Sequence, residues 1–112
     1  QKGQIQQVLL NLAMNALQAM PTGGVLRLRT RAERVGALDF AVVEIEDTGC
    51  GVPEHLRDRI FESFLTGKPE GTGLGLAISK QILNAHRGQL QLVSTSPRGT
   101  CFRFSLPLAL KG

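Results

Sequence analysis

A glycine-rich run, Gly71-Thr72-Gly73-Leu74-Gly75-Leu76, stands immediately before a stretch of helical periodicity. At the start of a helix, glycines leave the backbone N–H groups and the positive end of the helix dipole open to an anion, so phosphate is the natural ligand. The spacing fits neither the dinucleotide fingerprint G-x-G-x-x-G nor the phosphate loop G-x-x-x-x-G-K-[ST]. Glycines also allow a loop to cross close to a helix, so the run alone leaves a purely steric explanation open.

Two asparagines, Asn11 and Asn15, stand four residues apart and therefore share one face of a predicted helix. An asparagine side-chain oxygen is a hard, neutral ligand that suits Mg²⁺ already bound to phosphate oxygens. Asp47 follows an apolar strand, where its carboxylate can accept a hydrogen bond from an exocyclic amine such as adenine N6, while Gly49 and Gly51 let a ring approach the backbone. Amides bonded to the sheet and an aspartate that caps a turn are the structural alternative. The order of asparagine pair, aspartate turn and glycine run favours a site for Mg²⁺ and ATP.

Hydrophobic periodicity predicts the elements that carry these residues. They are a helix over residues 4–20, strands over 25–31 and 40–46, a short helix over 54–61, a helix over 73–87, and strands over 89–95 and 100–106. The first helix is expected to be largely buried with one narrow polar stripe, since glutamine and asparagine recur at three- and four-residue steps. The arginines of the first strand should face solvent, and residues 33–39 should form a polar loop or hairpin. Gly88 should be the left-handed residue that ends the second long helix.

The composition is that of one ordinary globular domain, with 112 residues, 42% hydrophobic and 20% charged, and a net charge of +4. We expect neither a membrane span nor a secretory signal within it. Because Trp and Tyr are absent, few side chains can stack on bases, and we expect no nucleic-acid partner. Cys50 and Cys101 lack metal-ligand spacing and are expected to be reduced thiols of a cytoplasmic protein.

Five motifs occur in order along the chain. They are Gln7–Leu12 followed by Asn15-Ala16, Asp47–Pro53, Ile60–Phe64, Gly71–Leu76, and Gly99-Thr100 before the strand that ends at Pro107. In this order they resemble the asparagine box, the first glycine box, the phenylalanine box, the second glycine box and the closing strand of one family. This family is the catalytic and ATP-binding domain of bacterial two-component sensor histidine kinases, in the superfamily of gyrase, Hsp-type chaperones, histidine kinases and MutL. The resemblance covers residues 4–107, nearly the whole chain.

The resemblance implies the Bergerat ATP-binding fold, an α/β (α+β) two-layer sandwich with a mixed sheet covered on one face by helices. It implies one domain over residues 1–112, with a mobile lid over about residues 62–72. Carried over position by position, Asn15 is the expected Mg²⁺ ligand, Asp47 reads adenine, and Asn11 lies beside the phosphates. The other residues implied to bind nucleotide are Gly49, Gly51, Lys68, Gly71, Thr72, Gly73, Leu74, Gly75, Leu76 and Thr100. Asn11, Asn15 and Lys68 are the catalytic candidates, Lys68 as a charge beside the β- and γ-phosphates.

Two positions of the lid depart from the family pattern, since Ser63 stands where proline is usual and Gly67 where threonine is common. The strand that ordinarily precedes the asparagine helix is expected to be missing, so we expect an N-terminally truncated domain. No phosphoacceptor segment of the His-Glu-x-x-Asn-Pro kind occurs in the chain. The resemblance therefore implies transfer of the γ-phosphoryl group to a histidine on a separate helical dimerisation domain. It also implies a response regulator downstream, a monomeric isolated domain, and a cytoplasmic location, whether or not the sensor is anchored in a membrane.

Three other functions are compatible with the same family of folds. Gyrase- and MutL-type ATPases have a glutamate that activates water four residues before the metal-binding asparagine. Here Asn11 occupies that position and cannot act as a base, which disfavours hydrolysis as the main reaction. An anti-sigma-factor-type serine kinase and a non-catalytic nucleotide-binding module stay open.

Overall fold

Two helices pack across one face of a four-stranded sheet in the computed structural model, which describes residues 2–61 and 75–108 apart from the side chains of Lys2 and Arg59. The elements are helix α1 (Lys2–Gln18), strands β1 (Leu26–Val35) and β2 (Leu38–Asp47), a short 3-10 helix (Glu54–Arg59), helix α2 (Gly75–Ala85), and strands β3 (Gln89–Ser96) and β4 (Gly99–Pro107). The predicted two-layer α+β sandwich is confirmed. No helix within the described ranges is both long and apolar enough to cross a membrane.

The sheet has the order β1-β2-β4-β3, and its three pairings are all antiparallel. We expected a mixed sheet, and the four described strands depart from that expectation. For two of the pairings the reason is local, because β1–β2 and β3–β4 are hairpins with two-residue turns, which permit only antiparallel pairing. Gly36, at φ +63, makes the first of these turns. Of the two predicted forms of residues 33–39, loop or hairpin, the hairpin is therefore confirmed.

The hydrophobic core lies between the helices and the helix-facing side of the sheet. Val8 and Leu12 of α1 and Leu83 of α2 are at most 1% exposed. Ile45 on β2 and Phe102 on β4 lie opposite each other in the sheet register and belong to the same cluster. The members of this cluster are Val8, Leu12, Ile45, Ile60, Ile82, Leu83, Leu90, Phe102 and Phe104. It joins both helices to the two central strands, so the end of β2 is held in a fixed place.

Helix α1 buries only one of its faces. The expectation of a largely buried helix is wrong, because Leu10, Met14 and Leu17 are 60%, 48% and 53% exposed. In a two-layer sandwich one face of a helix meets the sheet and the opposite face points outward, and these three residues lie on the outward face. The polar stripe runs between the two faces on the side of α2, where Asn11 contacts the start of that helix.

The outer face of the sheet carries a network of ion pairs, which confirms that the arginines of β1 face solvent. At its centre, the Glu44 carboxylate accepts hydrogen bonds from Arg103 at 2.9 and 3.0 Å and from Arg31 at 3.2 Å. Arg29 lies 3.7 Å from Glu44 and donates to Glu46 at 3.1 Å. These hydrogen bonds, Arg103 first, lower the pKa of Glu44 below its ordinary value. The charges on this face are thus largely paired with one another.

The end of α2 differs from the prediction in one residue. The left-handed residue after the helix is Arg87, at φ +63, and not Gly88. Gly88 is required for a steric reason, since a Cβ there would lie 2.3 Å from the carbonyl oxygen of Ser105. Its N–H donates to the carbonyl of Leu83 at 2.7 Å and closes the helix. Gly88 therefore lets the chain pass tightly from α2 into β3.

Candidate functional site

Asp47 is the last residue of β2 and is only 4% exposed. Its Oδ1 accepts a hydrogen bond from the backbone N–H of Gly49 at 2.8 Å. The other carboxylate oxygen takes no hydrogen bond from the described residues. Among the described residues, every fully buried side-chain oxygen and nitrogen has a hydrogen-bond partner. Because this oxygen has none, it is not fully buried, and solvent or a ligand can reach it. The end of β2 thus presents a fixed carboxylate with one acceptor position open.

The glycine turn, which contains Gly49 and Gly51 and follows β2, packs closely against Ala19 at the end of α1 and against β3. A Cβ on Gly49 would lie 2.5 Å from the carbonyl oxygen of Ala19. The N–H of Cys50 donates to that same carbonyl at 3.2 Å. A Cβ on Gly51, whose φ is +83, would lie 2.1 Å from the carbonyl oxygen of Ser96. Both glycines are therefore required by packing within the protein, before any ligand is considered.

A pair of threonines lies beside this turn. Thr100 on β4 is directly opposite Asp47 in the sheet register and is 5% exposed. Its Oγ1 is 2.8 Å from Oγ1 of Thr95, its partner on β3. Thr95 Oγ1 also accepts a hydrogen bond from the N–H of Val52 at 2.9 Å. The resemblance implied Thr100, whereas Thr95 was missed, because a threonine within a strand is too common to be a signal.

Asn11 lies where α1 meets the start of α2. Its Nδ2 donates to Ser79 Oγ at 3.3 Å and to the carbonyl oxygen of Gly75 at 3.4 Å. Ser79 is fully buried. The sequence analysis missed it, although a serine on the apolar face of a predicted helix was a usable signal. The amide nitrogen of Asn11 is thus turned toward α2, and its oxygen is left for other partners.

Asn15 lies along α1 between the two glycine segments. Asn11 and Asn15 share one face of α1, and Ala19, the first residue after the helix, continues the same four-residue step. Asn11 contacts Gly75, and Ala19 lies against Gly49. The side chain of Asn15 is partly buried and has no hydrogen bond or ion pair with the described residues. Helix α1 therefore brings the glycine turn, the start of α2 and a free amide to one side of the molecule.

Ile60 and Phe61, the described residues of the phenylalanine box, pack into the core next to α2. Ile60 is 8% exposed. The ring of Phe61 meets Phe102 edge-on, with centroids 6.3 Å apart, and Lys80 Nζ lies 5.1 Å from the centre of the Phe61 ring. The side chain of Leu76 also packs against the core. Leu76 is only partly buried, and its contact with nucleotide stays a prediction.

Part of the predicted site lies outside the described residues. The predicted site residues outside the described ranges are Lys68, Gly71, Thr72, Gly73 and Leu74, and the predicted lid over residues 62–72 lies outside them as well. Their roles stay predictions. Within residues 2–61 and 75–108, no three His, Cys, Asp or Glu side chains cluster in a way that could hold a metal ion.

Comparison with known proteins gives consistent matches over nearly the whole chain. Residues 1–110 match the sequence model of a family described as Histidine kinase-, DNA gyrase B-, and HSP90-like ATPase. The Signal transduction histidine-protein kinase AtoS of Escherichia coli (strain K12) is 40% identical over 108 residues, which cover 96% of this chain and 17% of AtoS. This chain therefore spans less than a fifth of that relative.

Two solved structures share the fold. The mycobacterial sensor histidine kinase MprB superposes with a TM-score of 0.76 and 31% identity, over 96% of this chain and 74% of that one. Full-length ShkA, crystallised in complex with AMPPNP, superposes with a TM-score of 0.81 and 34% identity, over 98% of this chain and 22% of ShkA.

Proposed function

Because the chain belongs to the family of histidine kinase-, DNA gyrase B- and HSP90-like ATPases, we propose that it binds Mg²⁺ and ATP and donates the γ-phosphoryl group to a histidine on a separate helical dimerisation domain. The observation that carries this proposal is a pair of groups that the fold leaves open, the second carboxylate oxygen of Asp47 and the amide of Asn15. They lie near the contacts of Asn11 with Gly75 and of Ala19 with Gly49. Between these contacts stands Asn15, whose amide has no partner among the described residues.

Adenine is proposed to bind at the end of β2. The open oxygen of Asp47 would accept a hydrogen bond from the N6 amine of the base. Guanine has a carbonyl oxygen at the corresponding position, so it would set an acceptor against the carboxylate and leave a nearly buried charge without its donor. Leaving a buried group unpaired costs about 1–3 kcal/mol. The carboxylate thus favours ATP over GTP.

The donor set near Asn15 fits a magnesium ion. Mg²⁺ takes oxygen ligands and usually keeps several waters and phosphate oxygens, so one or two protein oxygens suffice. Asn15 supplies one neutral oxygen, and Asn11 has a second one free because its nitrogen is held by Ser79 and Gly75. When bound, the ion would neutralise charge on the phosphate oxygens.

The phosphates are proposed to lie at the start of α2. Backbone N–H groups of Gly71, Gly73 and Gly75 would face them, and Lys68 would add a positive charge beside the β- and γ-phosphates. The chain would then act by holding the γ-phosphoryl group in line with the incoming histidine, since phosphoryl transfer depends mainly on positioning and charge neutralisation. The phosphohistidine would next supply a response regulator in the cytoplasm.

Hydrolysis is the weaker alternative within this family. Asn11 stands one helical turn before Asn15, and a carboxamide cannot take a proton from water. Its nitrogen is also occupied by the contact with α2. A serine kinase of the same fold would phosphorylate serine, and a non-catalytic nucleotide-binding module would phosphorylate nothing. The phosphorylated residue therefore distinguishes both from our proposal.

Nucleotide binding is tested by calorimetry with Asp47→Asn and, as a matched control, Asp58→Asn, which changes an exposed carboxylate. We expect wild-type protein to prefer ATP over GTP. Asp47→Asn should lose tenfold or more in ATP affinity, because a hydrogen bond to a charged group contributes about 1.5–3 kcal/mol. The control should bind as wild type does. Equal affinity for ATP and GTP in the wild type would refute the assignment of Asp47.

Phosphotransfer is tested with labelled ATP and an added histidine-bearing dimerisation domain. Wild-type protein should place an acid-labile label on the histidine of that domain. Asn15→Ala should abolish the label, and Asn84→Ala, at an exposed position of α2, should not. An acid-stable label on serine would favour the serine kinase. No label at all, with ATP still bound, would favour the non-catalytic module.

A further inference from the structure

One hydroxyl group joins three segments of the chain next to the proposed adenine site. Thr95 Oγ1 accepts a hydrogen bond from the N–H of Val52 at 2.9 Å and lies 2.8 Å from Thr100 Oγ1. Strand β3 touches the glycine turn a second time, since a Cβ on Gly51 would lie 2.1 Å from the carbonyl oxygen of Ser96. The place of the turn relative to β3 and β4 therefore depends on the Thr95 hydroxyl as well as on backbone contact.

Either hydroxyl can donate the bond between the two threonines, and the two arrangements leave different hydrogens for other partners. A threonine hydroxyl has one hydrogen and two acceptor lone pairs. If Thr95 accepts hydrogen bonds from both Val52 and Thr100, the hydrogen of Thr100 is used and that of partly exposed Thr95 is left for solvent. If instead Thr95 donates to Thr100, the hydrogen of nearly buried Thr100 has no acceptor among the described residues and is left for a ligand. The bonds then run from Val52 to Thr95 and on to Thr100, and each polarises the next.

In this arrangement Thr100 accepts from Thr95 and keeps its own hydrogen for a further partner. Asp47, directly opposite Thr100 in the sheet register, keeps an open acceptor oxygen. The two side chains lie on the same side of the sheet, so the site presents an acceptor beside a donor. Adenine has the matching pair, the N6 donor beside the N1 acceptor, and guanine has the reverse pair at O6 and N1.

We propose that Thr95 is a positioning residue that favours adenine over guanine. It fixes the glycine turn through Val52 and directs the hydroxyl hydrogen of Thr100 toward N1 of the base, directly or through a water molecule. This proposal rests on the proposed binding of ATP and deepens it, because it assigns part of the base selectivity to a residue that does not itself touch the base.

Two substitutions at Thr95 separate the effect of its hydroxyl group on binding from the effect of its shape. Thr95→Val keeps the branched shape and removes the hydroxyl, whereas Thr95→Ser keeps the hydroxyl. Calorimetry should show about a tenfold loss of ATP affinity for Thr95→Val and a narrower preference for ATP over GTP. Thr95→Ser should stay within about twofold of wild type. Ser94→Ala, on the other side of the same strand, is the matched control and should change neither quantity.

NMR on the unliganded wild-type chain tests the direction of the hydrogen bonds without any substitution. The Thr95 hydroxyl hydrogen should exchange slowly with water, and that of Thr100 should become slow only when ATP is added. Slow exchange of the Thr100 hydroxyl hydrogen and fast exchange of the Thr95 one in the unliganded chain would overturn the proposal. This holds even if Thr95→Val does not fold.

The binding data distinguish failure of this proposal from failure of the proposed function. If wild-type protein does not bind ATP, the proposed function fails and this proposal fails with it. If wild-type protein prefers ATP and folded Thr95→Val keeps the same affinity and preference, the role of Thr95 alone is refuted. A loss of affinity that is equal for ATP and GTP would also refute it, since such a loss indicates a structural effect without base selectivity.

Discussion

Replacing Gly51 by alanine should destabilise the fold and weaken nucleotide binding together. At φ +83 an L-residue is strained by about 1–2 kcal/mol, which is partly offset by about 0.4–1 kcal/mol from a less flexible unfolded chain. A second cost is steric, because the new Cβ would stand 2.1 Å from the carbonyl oxygen of Ser96, where ordinary contact begins at 3.4 Å. The turn must move by more than about 1 Å, which breaks the hydrogen bond from Val52 to Thr95, a loss of about 1 kcal/mol. The net strain and the lost hydrogen bond together should lower the free energy of unfolding by about 2 kcal/mol.

Gly36→Ala is the matched control for the steric part of this cost. Gly36 has φ +63, and nothing lies within 4 Å of the place where its Cβ would stand. This variant carries the backbone strain alone, so about 1 kcal/mol is expected. Urea unfolding followed by circular dichroism measures both variants, and calorimetry should show weaker ATP binding for Gly51→Ala only. If the two variants unfold at the same midpoint and bind ATP equally, the close approach of the turn to β3 does not hold in solution and the reasoning is refuted.

Three further predictions concern other parts of the molecule. Glu44→Gln should lower the free energy of unfolding at pH 7 by about 1 kcal/mol, a modest value because the paired arginines are partly exposed. Since those arginines lower the pKa of Glu44 in the folded state, this stabilisation is lost as the pH falls below about 4.3 and through the folded-state pKa, and the urea midpoints of the two proteins should converge there. Ser79→Ala should weaken binding of ATP several-fold and leave that of adenosine unchanged by calorimetry, because Ser79 orients Asn11 near the proposed phosphate position; an equal loss for both ligands would contradict this. A maleimide should label exposed Cys50 in the native protein and label Cys101 only after unfolding, because burial shields the Cys101 thiol and raises its pKa; mass spectrometry counts the labels, and two labels on the native chain would contradict the prediction.

The sequence could predict what depends on local spacing. Alternation located β1 and β4, and an apolar run before Asp47 and its glycines located β2 and placed Asp47 at the end of that strand. Exposure could not be predicted in the same way, because it depends on which elements cover a face. Leu10 and Leu17 carry the same apolar signal as Leu12, yet only Leu12 is buried. The same limit applies to Thr95, whose partners lie 43 and 5 residues away in the chain.

The glycines and the polar residues of the site carry different kinds of information about function. Gly49, Gly51 and Gly99 each stand where a Cβ would lie within 2.5 Å of a backbone oxygen of the protein itself. These three glycines would be required even if no nucleotide ever bound, so their presence indicates a tightly crossed backbone and no particular ligand. Asp47 and Asn15 are different, because folding leaves one carboxylate oxygen and one amide without partners among the described residues. Buried polar groups are normally hydrogen-bonded, to the protein or to ordered water. The specific argument for a bound nucleotide and its metal ion therefore rests on these two side chains, and the glycine segments hold them in place.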